Sequence, residues 1–84
     1  MESTLMTEDK KQAHAQSVVK LVASTLGIAE DELNLGSSMD NTPAWDSLEH
    51  MTICLAFERQ FGIKLNMDNI ISATSVRALA ALIP

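Results

Sequence analysis

The eight residues AWDSLEHM, numbers 44–51, mark the start of a helix in the middle of the chain. Asp46 precedes the apolar positions of this helix, and Glu49 lies three positions after Asp46. This arrangement is a variant of the capping box, in which the two side chains satisfy unpaired amides at a helix start. We therefore expect a helix that is capped by Asp46, runs to about residue 60 or 61 and ends at Gly62.

A longer helical pattern precedes this segment. Thr7 and the two acids after it have the composition of an N-cap and an acidic first turn. Apolar residues then recur on one helical face, namely Val18, Leu21, Val22 and Leu26. The pattern predicts a helix from about Thr7 to Leu26 that Gly27 ends. Residues 1–6 are expected to form a flexible tail, and residues 7–84 a single domain.

Residues 27–45 form a long connection that is rich in glycine, serine, asparagine and proline. Loops of this length are uncommon in compact domains, and they are usually functional or anchored. Four apolar side chains are the expected anchors to the core: Ile28, Leu33, Leu35 and Met39.

Two further patterns complete the chain. Residues 67–72 are predicted to form a short helical turn, and Ser75 is placed to cap a last helix. The apolar side of that helix is Val76, Leu79, Ala80 and Ile83. Strand signals are weak. The predicted fold is all-α, a small four-helix bundle of three longer helices and one short helix, with a long loop between helices one and two.

The composition narrows the function. The 84 residues are too few to enclose a deep substrate pocket easily, which counts against a self-contained enzyme. A net charge of −5 opposes binding to nucleic acid or to anionic membranes and favours a partner with a basic patch.

The chain offers no disulfide and no metal site, because Cys54 is its single cysteine and its two histidines are isolated. It shows no secretory signal and no apolar run long enough to span a membrane. We expect a monomer in the reducing cytosol.

Ser47 becomes the first residue inside the helix if Asp46 is the cap. Its side chain then points outward, beside unpaired amides and the positive end of the helix dipole. Anions are favoured there by about 0.3–1 kcal/mol, so that this hydroxyl suits a phosphodiester. The alternative is that Ser47 merely belongs to a capping pattern.

The helix that begins beside Ser47 has a wider apolar arc than packing on one side requires. One sector is Ile53, Cys54, Phe57 and Phe61, and the neighbouring sector is Leu48, Met51 and Leu55. Either both sectors are core, or part of the arc is an exposed contact surface. Positions 21–58 contain no lysine or arginine, whereas Glu30, Asp31, Glu32, Asp40, Asp46 and Glu49 all lie there. Beside an apolar patch and an exposed serine, this charge favours docking of basic partners over a merely solvated loop.

With these residues identified, the chain resembles acyl carrier proteins over nearly its whole length from about residue 8. The resemblance lies in LVASTLGI, AEDEL, WDSLEHM, LAFERQFGIKL and SVRALAALI, with Asp-Ser-Leu at the start of the second helix. It implies that a phosphopantetheinyl transferase moves 4′-phosphopantetheine from coenzyme A to Ser47. The thiol of that arm would carry acyl groups as thioesters between enzymes, and the carrier itself would catalyse nothing.

The resemblance also implies residue roles. The positions that match the family's partner-docking residues are Asp46, Leu48, Glu49, Met51 and Leu55. Three others, Ile53, Phe57 and Phe61, match positions that line the core or the acyl-holding cleft.

The sequence departs from carriers of general fatty-acid synthesis in two respects. Thr52, Arg59 and Gln60 stand where acidic residues are common, and Trp45 replaces a small residue. The Trp-Asp-Ser-Leu-x-His form is more similar to discrete carriers that serve dedicated pathways. A peptidyl or aminoacyl carrier and an unmodified helical interaction module remain the alternatives.

Two neighbours of Ser47 have alternative interpretations. Trp45 either staples against His50 across the helix start or contacts a partner. His50 shares a helix face with Ser47, but a hydrolase would need a third orienting group and an oxyanion hole, and the sequence indicates neither. Cys54 lies among apolar neighbours and is expected to be an inert buried thiol.

Overall fold

The computed structural model describes the backbone of residues 2–84 and the side chains of residues 12–84. The helices are α1 (Glu2–Leu26), α2 (Ser47–Phe61), α3 (Met67–Ser72) and α4 (Val76–Ala81), with a 3₁₀ turn at Glu30–Glu32. Within residues 2–84 the only β-type pairing is an isolated bridge between Ser38 and Ser75. The prediction of a small all-α bundle with a long loop after the first helix is confirmed.

The first helix begins earlier than the sequence pattern predicts. α1 starts at Glu2, so that Thr7 lies inside the helix and is not its N-cap. Residues 2–6 contain no glycine or proline, so that no helix-breaking residue prevents the helix from starting before Thr7. Met1 and the side chains of the first eleven residues lie outside the described part, and the flexible tail at residues 1–6 stays a prediction.

The ends of α1 and α2 follow the predicted glycines. Gly27 and Gly62 have φ angles of 72° and 65°, in the left-handed region where a side chain is strained. The amide of each donates to the carbonyl four residues earlier, Gly27 to Ala23 and Gly62 to Glu58, at 2.9 Å. Both glycines therefore close the last helical turn.

The last helix is shorter than its apolar pattern. Ser75 caps α4 as predicted, accepting a hydrogen bond from the amide of Ala78, but the helix ends at Ala81 and leaves Ile83 outside. Pro84 explains this end, because a residue that precedes proline is disfavoured in helical conformation. Two helices of the bundle are long, and α3 and α4 have six residues each.

The core lies between α1 and the helices α2 and α4 that pack against it. Its buried side chains are Val18, Leu21, Val22, Ala23, Leu33, Trp45, Ile53, Phe57, Ala73, Val76 and Leu79. All four apolar positions predicted for the face of the first helix contribute, with Leu26 packed at the edge. Each fully buried aliphatic or aromatic side chain contributes about 1.5–3 kcal/mol to folding.

Three of the four predicted anchors hold the long loop. Leu33 is buried, and Ile28 and Met39 pack against the core from partly buried positions. Leu35 is 42% exposed, so its predicted anchoring is wrong. The backbone replaces it, because the loop pairs with the segment before α4 through hydrogen bonds from Met39 N to Thr74 O and from Val76 N to Ser37 O, each 3.0 Å.

Candidate functional site

The start of α2 is set by one carboxylate. Asp46 has extended backbone, and its Oδ1 accepts a hydrogen bond of 2.8 Å from the amide of Glu49. The predicted cap is therefore confirmed. The predicted return bond is wrong, since in the described part of the chain the Glu49 carboxylate makes no hydrogen bond to the amide of Asp46. Capping here is one-sided and depends on Asp46 alone.

Ser47 is the first residue of α2, and its side chain is exposed. Among the described residues, no hydrogen bond engages its hydroxyl or the amides of Ser47 and Leu48. These amides belong to the four that every helix start leaves without an internal partner. An anion bound to the Ser47 oxygen would lie beside them and beside the positive end of the dipole of a 15-residue helix.

Exposed apolar side chains lie on both α2 and α3. Three of them belong to α2 and are 47–75% exposed: Leu48, Met51 and Leu55. The other two, Met67 and Ile71 of α3, are each 67% exposed and share a face at i and i+4. We call these five residues the apolar surface. The exposure of the α2 sector confirms that it is not core, whereas its role in docking stays a prediction.

The two α3 members of this surface were missed in the sequence. A helix of six residues shows too little periodicity to separate its buried side from its exposed side. The spacing of four between Met67 and Ile71 was the one available signal.

The opposite sector of α2 faces inward. Ile53 and Phe57 are fully buried, Cys54 is 3% exposed, and Phe61 is partly buried against Phe57 with ring centroids 4.9 Å apart. This is the core-lining part of the predicted set. The two sectors of the wide apolar arc thus have different environments.

His50 and Trp45 form a buried pair beneath the helix start. The indole Nε1 of Trp45 donates to His50 Nδ1 at 3.1 Å, and the ring centroids lie 6.0 Å apart. The predicted staple between these residues is confirmed. Trp45 is 1% exposed, so that it offers no surface for direct contact with a partner.

The same geometry excludes His50 as a base for Ser47. Its second ring nitrogen, Nε2, lies 2.7 Å from the carbonyl oxygen of Ile70 in α3, and the ring is buried. Both nitrogens are therefore occupied away from the Ser47 hydroxyl. A general base must reach the proton it removes, and this histidine points into the core.

Cys54 is a buried free thiol. Burial raises the pKa of the Cys54 thiol above its ordinary value, and the nearby Glu58 carboxylate adds to the effect. The thiolate is the reactive form, so that this cysteine is a weak nucleophile. The structure supports the prediction of an inert buried thiol.

The acids that precede α2 in the chain are solvent-facing. Glu30, Asp31, Glu32, Asp40 and Asp46 are all exposed. Glu49 is half-buried at the side of the helix. These carboxylates lie before and at the start of α2, where the chain has no lysine or arginine. Their role in attracting basic partners stays a prediction.

Metal-binding clusters and membrane-spanning helices are absent from the part of the chain that the structure describes. No group of three or more histidine, cysteine, aspartate or glutamate side chains lies close enough to hold a metal ion. None of the described helices has both the length and the apolar character needed to cross a bilayer.

The comparisons with known proteins agree on one family. The family described as "Phosphopantetheine attachment site" matches residues 16–83, which include Ser47 and all of α2, α3 and α4. An acyl carrier protein of Petrotoga mobilis (strain DSM 10674 / SJ95) is 31% identical over 55 residues. That alignment covers 66% of this chain and 65% of the relative, so that it spans slightly less than two thirds of each.

Proposed function

Because the chain belongs to the family described as a phosphopantetheine attachment site, we propose that Ser47 holds 4′-phosphopantetheine and that the protein is an acyl carrier protein that carries acyl groups. The observation that supports Ser47 is its position as an exposed, unengaged hydroxyl at the first residue of α2. The residues present fit the group, since the amides of Ser47 and Leu48 are free to face a phosphate.

The chain's own part in the modification is to present the nucleophile. Ser47 Oγ forms a bond to phosphorus while the nucleotide half of coenzyme A leaves, and the hydroxyl proton passes to a base. His50 is not that base, because both of its ring nitrogens are already engaged in the core. Once attached, the arm supplies a terminal thiol that holds acyl groups as thioesters.

Partners would dock on the side of the molecule that surrounds Ser47. The five members of the apolar surface offer hydrophobic contact, and Asp46 and Glu49 add negative charge at its edge. A partner with a basic rim around an apolar centre is the complement of this surface. The proposed partners are a phosphopantetheinyl transferase and the enzymes that load and use the acyl group.

The pathway is proposed as a dedicated one, either fatty-acid-like or specialised. Thr52, Arg59 and Gln60 replace acids on the second helix, and their presence weakens the match to partners of general fatty-acid synthesis. We place the protein in the cytoplasm, where reducing conditions keep the thiol of the arm free. An aminoacyl cargo is the second candidate, and only loading experiments distinguish it from an acyl cargo.

The first test of the proposal is an intact mass measurement. The purified chain is incubated with coenzyme A and a phosphopantetheinyl transferase of broad specificity. We expect the mass to increase by one phosphopantetheine. The Ser47→Ala variant should show no increase, and Ser24→Ala, which removes an exposed hydroxyl from α1, should behave like the unchanged protein.

The outcome separates a carrier from an interaction module. Modification of the unchanged chain that persists in Ser47→Ala would assign the arm to a different residue. A helical protein that several such transferases leave unmodified would be a docking module without a prosthetic group.

A further inference from the structure

His50 is a buried polar side chain to which the carrier function assigns no role. It lies on α2, three residues after Ser47, and is 5% exposed. Its ring joins three segments of the molecule. Nδ1 contacts Trp45 in the connection before α2, and Nε2 contacts the carbonyl of Ile70 in α3. Cys54 Sγ lies 3.5 Å from the same Nε2.

The partners of the ring define its protonation state. An indole N–H is a donor only, so that His50 Nδ1 must accept the hydrogen bond from Trp45. The proton of the neutral ring is then on Nε2, which donates to the carbonyl oxygen of Ile70. The other tautomer would lose both hydrogen bonds. Its Nδ1–H would face the indole N–H of Trp45, and its unprotonated Nε2 would face the carbonyl oxygen of Ile70.

The hydrogen bond from His50 to the carbonyl of Ile70 stabilises α3. A six-residue helix is too short to be stable by itself, and its last carbonyls have no partner inside the helix. α3 buries none of its own residues. The carbonyl of Ile70 is one of these otherwise unpaired groups, and it accepts a hydrogen bond from Nε2 of His50.

We propose that His50 is a positioning residue that fastens α3 to the start of α2, so that the exposed apolar side chains of the two helices are held in place for docking of the phosphopantetheinyl transferase. Leu48 and Met51 come from the helix that carries His50, and Met67 and Ile71 come from the helix that it holds. The docking part of the proposal rests on the carrier function above. The fastening of α3 does not.

Two substitutions separate the two bonds of the ring. His50→Asn places an amide where Nδ1 lies, so that it accepts from Trp45 but does not reach Ile70. His50→Gln extends an amide to the position of Nε2, so that it donates to Ile70 while the indole loses its partner. The two variants are similar in polarity and differ in which link they keep.

The first readout is amide hydrogen exchange on the protein without its arm. We expect the amides of Ile70 and Ala73, which bond within α3 and at its end, to exchange roughly tenfold faster in His50→Asn. Amides in the middle of α1 should be unchanged. His50→Gln should restore slow exchange in α3.

The second readout is the kinetics of the transferase. With α3 released, KM for the carrier should rise roughly fivefold to tenfold in His50→Asn, while kcat stays near that of the unchanged protein. His50→Gln should bring KM back towards its original value. A loss of general stability alone would not produce this split between KM and kcat or its rescue.

The imidazole nitrogens of the unchanged protein give a measurement that needs no variant. Their ¹⁵N chemical shifts should show a protonated Nε2 and an unprotonated, accepting Nδ1. The opposite tautomer, or equal exchange of α3 in all three proteins, would overturn the fastening. If Ser47 is never modified, the carrier function fails, while exchange and chemical shifts still decide whether His50 holds α3. Faster α3 exchange with an unchanged KM in His50→Asn would overturn the docking part and leave the fastening intact.

Discussion

Asp46 caps α2 and also carries an exposed negative charge at the helix start. Its carboxylate caps α2 through the amide of Glu49, and its charge lies next to Ser47 on the exposed side. The cap requires an oxygen acceptor, whereas docking of a basic partner requires the negative charge. Substitution can therefore separate the capping oxygen of Asp46 from its negative charge.

Asp46→Ala should lower the free energy of unfolding by about 1 kcal/mol, because the Glu49 amide loses its acceptor. Asp46→Asn should keep nearly all the stability, since asparagine caps as well as aspartate. Urea denaturation measures both. With the transferase, Asp46→Asn should still raise KM and flatten its dependence on salt. Wild-type kinetics in the Asn variant would show that the charge is not used.

Cys54 should be protected from chemical modification in the folded protein. The thiol is buried and its pKa is raised, so that little thiolate is present near neutral pH. We expect alkylation by iodoacetamide to be slow in buffer and fast in denaturing urea. In the modified carrier, the thiol of the arm should react first. Rapid labelling of Cys54 in the native apo-protein would contradict this environment.

The same thiol makes stability depend on alkaline pH. Above the ordinary thiol pKa, the unfolded chain has lost its proton while the folded chain retains it, because burial raises the pKa in the folded state. The unfolded state then binds fewer protons, and stability falls as pH rises through the folded pKa. Cys54→Ala should reduce this alkaline loss relative to the unchanged protein, as measured by urea denaturation at several pH values.

The helix α2 has a buried side and an exposed apolar side. Ile53 and Phe57 pack into the core, while Leu48, Met51 and Leu55 remain in contact with solvent. Exposed apolar side chains contribute little to folding. A cluster of them on a surface commonly marks a binding site. The short α3 also has exposed apolar side chains, Met67 and Ile71.

Leu48→Ala and Ile71→Ala should therefore affect binding more than folding. We expect the free energy of unfolding to change by less than about 0.5 kcal/mol in each variant, because neither side chain is buried. KM for the transferase should rise in both. Ala81, exposed at the end of α4, gives a control position in Ala81→Ser that should leave KM unchanged. An effect of Leu48 without any effect of Ile71 would confine docking to α2.

At the scale of the whole molecule, stability depends on few side chains. Eleven buried apolar residues form the described core, and every long element contributes to it. A domain of this length has a free energy of unfolding of about 4–13 kcal/mol, so that losing one large core side chain removes a substantial part of it.

Phe57→Ala should lower the free energy of unfolding by about 3–5 kcal/mol, because the fully buried ring leaves a cavity between α1 and α2. Leu55→Ala is the matched control, two positions away on the same helix and 56% exposed. It should change stability by less than about 0.5 kcal/mol. Thermal and urea unfolding compare them, and equal losses would mean that the two sectors of α2 are not separated as described.

Much of this architecture could be predicted because its signals are local. Gly27 and Gly62 end helices through their own backbone freedom, and Asp46 caps α2 through an amide three residues away. The start of α1 was misjudged at Thr7 because a residue that can cap a helix does so only where the preceding chain stops being helical. Ile83 fell outside α4 because Pro84 outweighed the apolar periodicity.

Local chemistry in the chain was enough to specify four helices, their glycine and aspartate boundaries, and an exposed serine at the first residue of α2. These features depend on neighbours within about four positions. The complete burial of Trp45, the exposure of Leu35 and the engagement of His50 Nε2 arose only when distant segments packed together. The carbonyl of Ile70 lies twenty residues from His50, and no periodicity in the sequence encodes a contact between two groups at that separation.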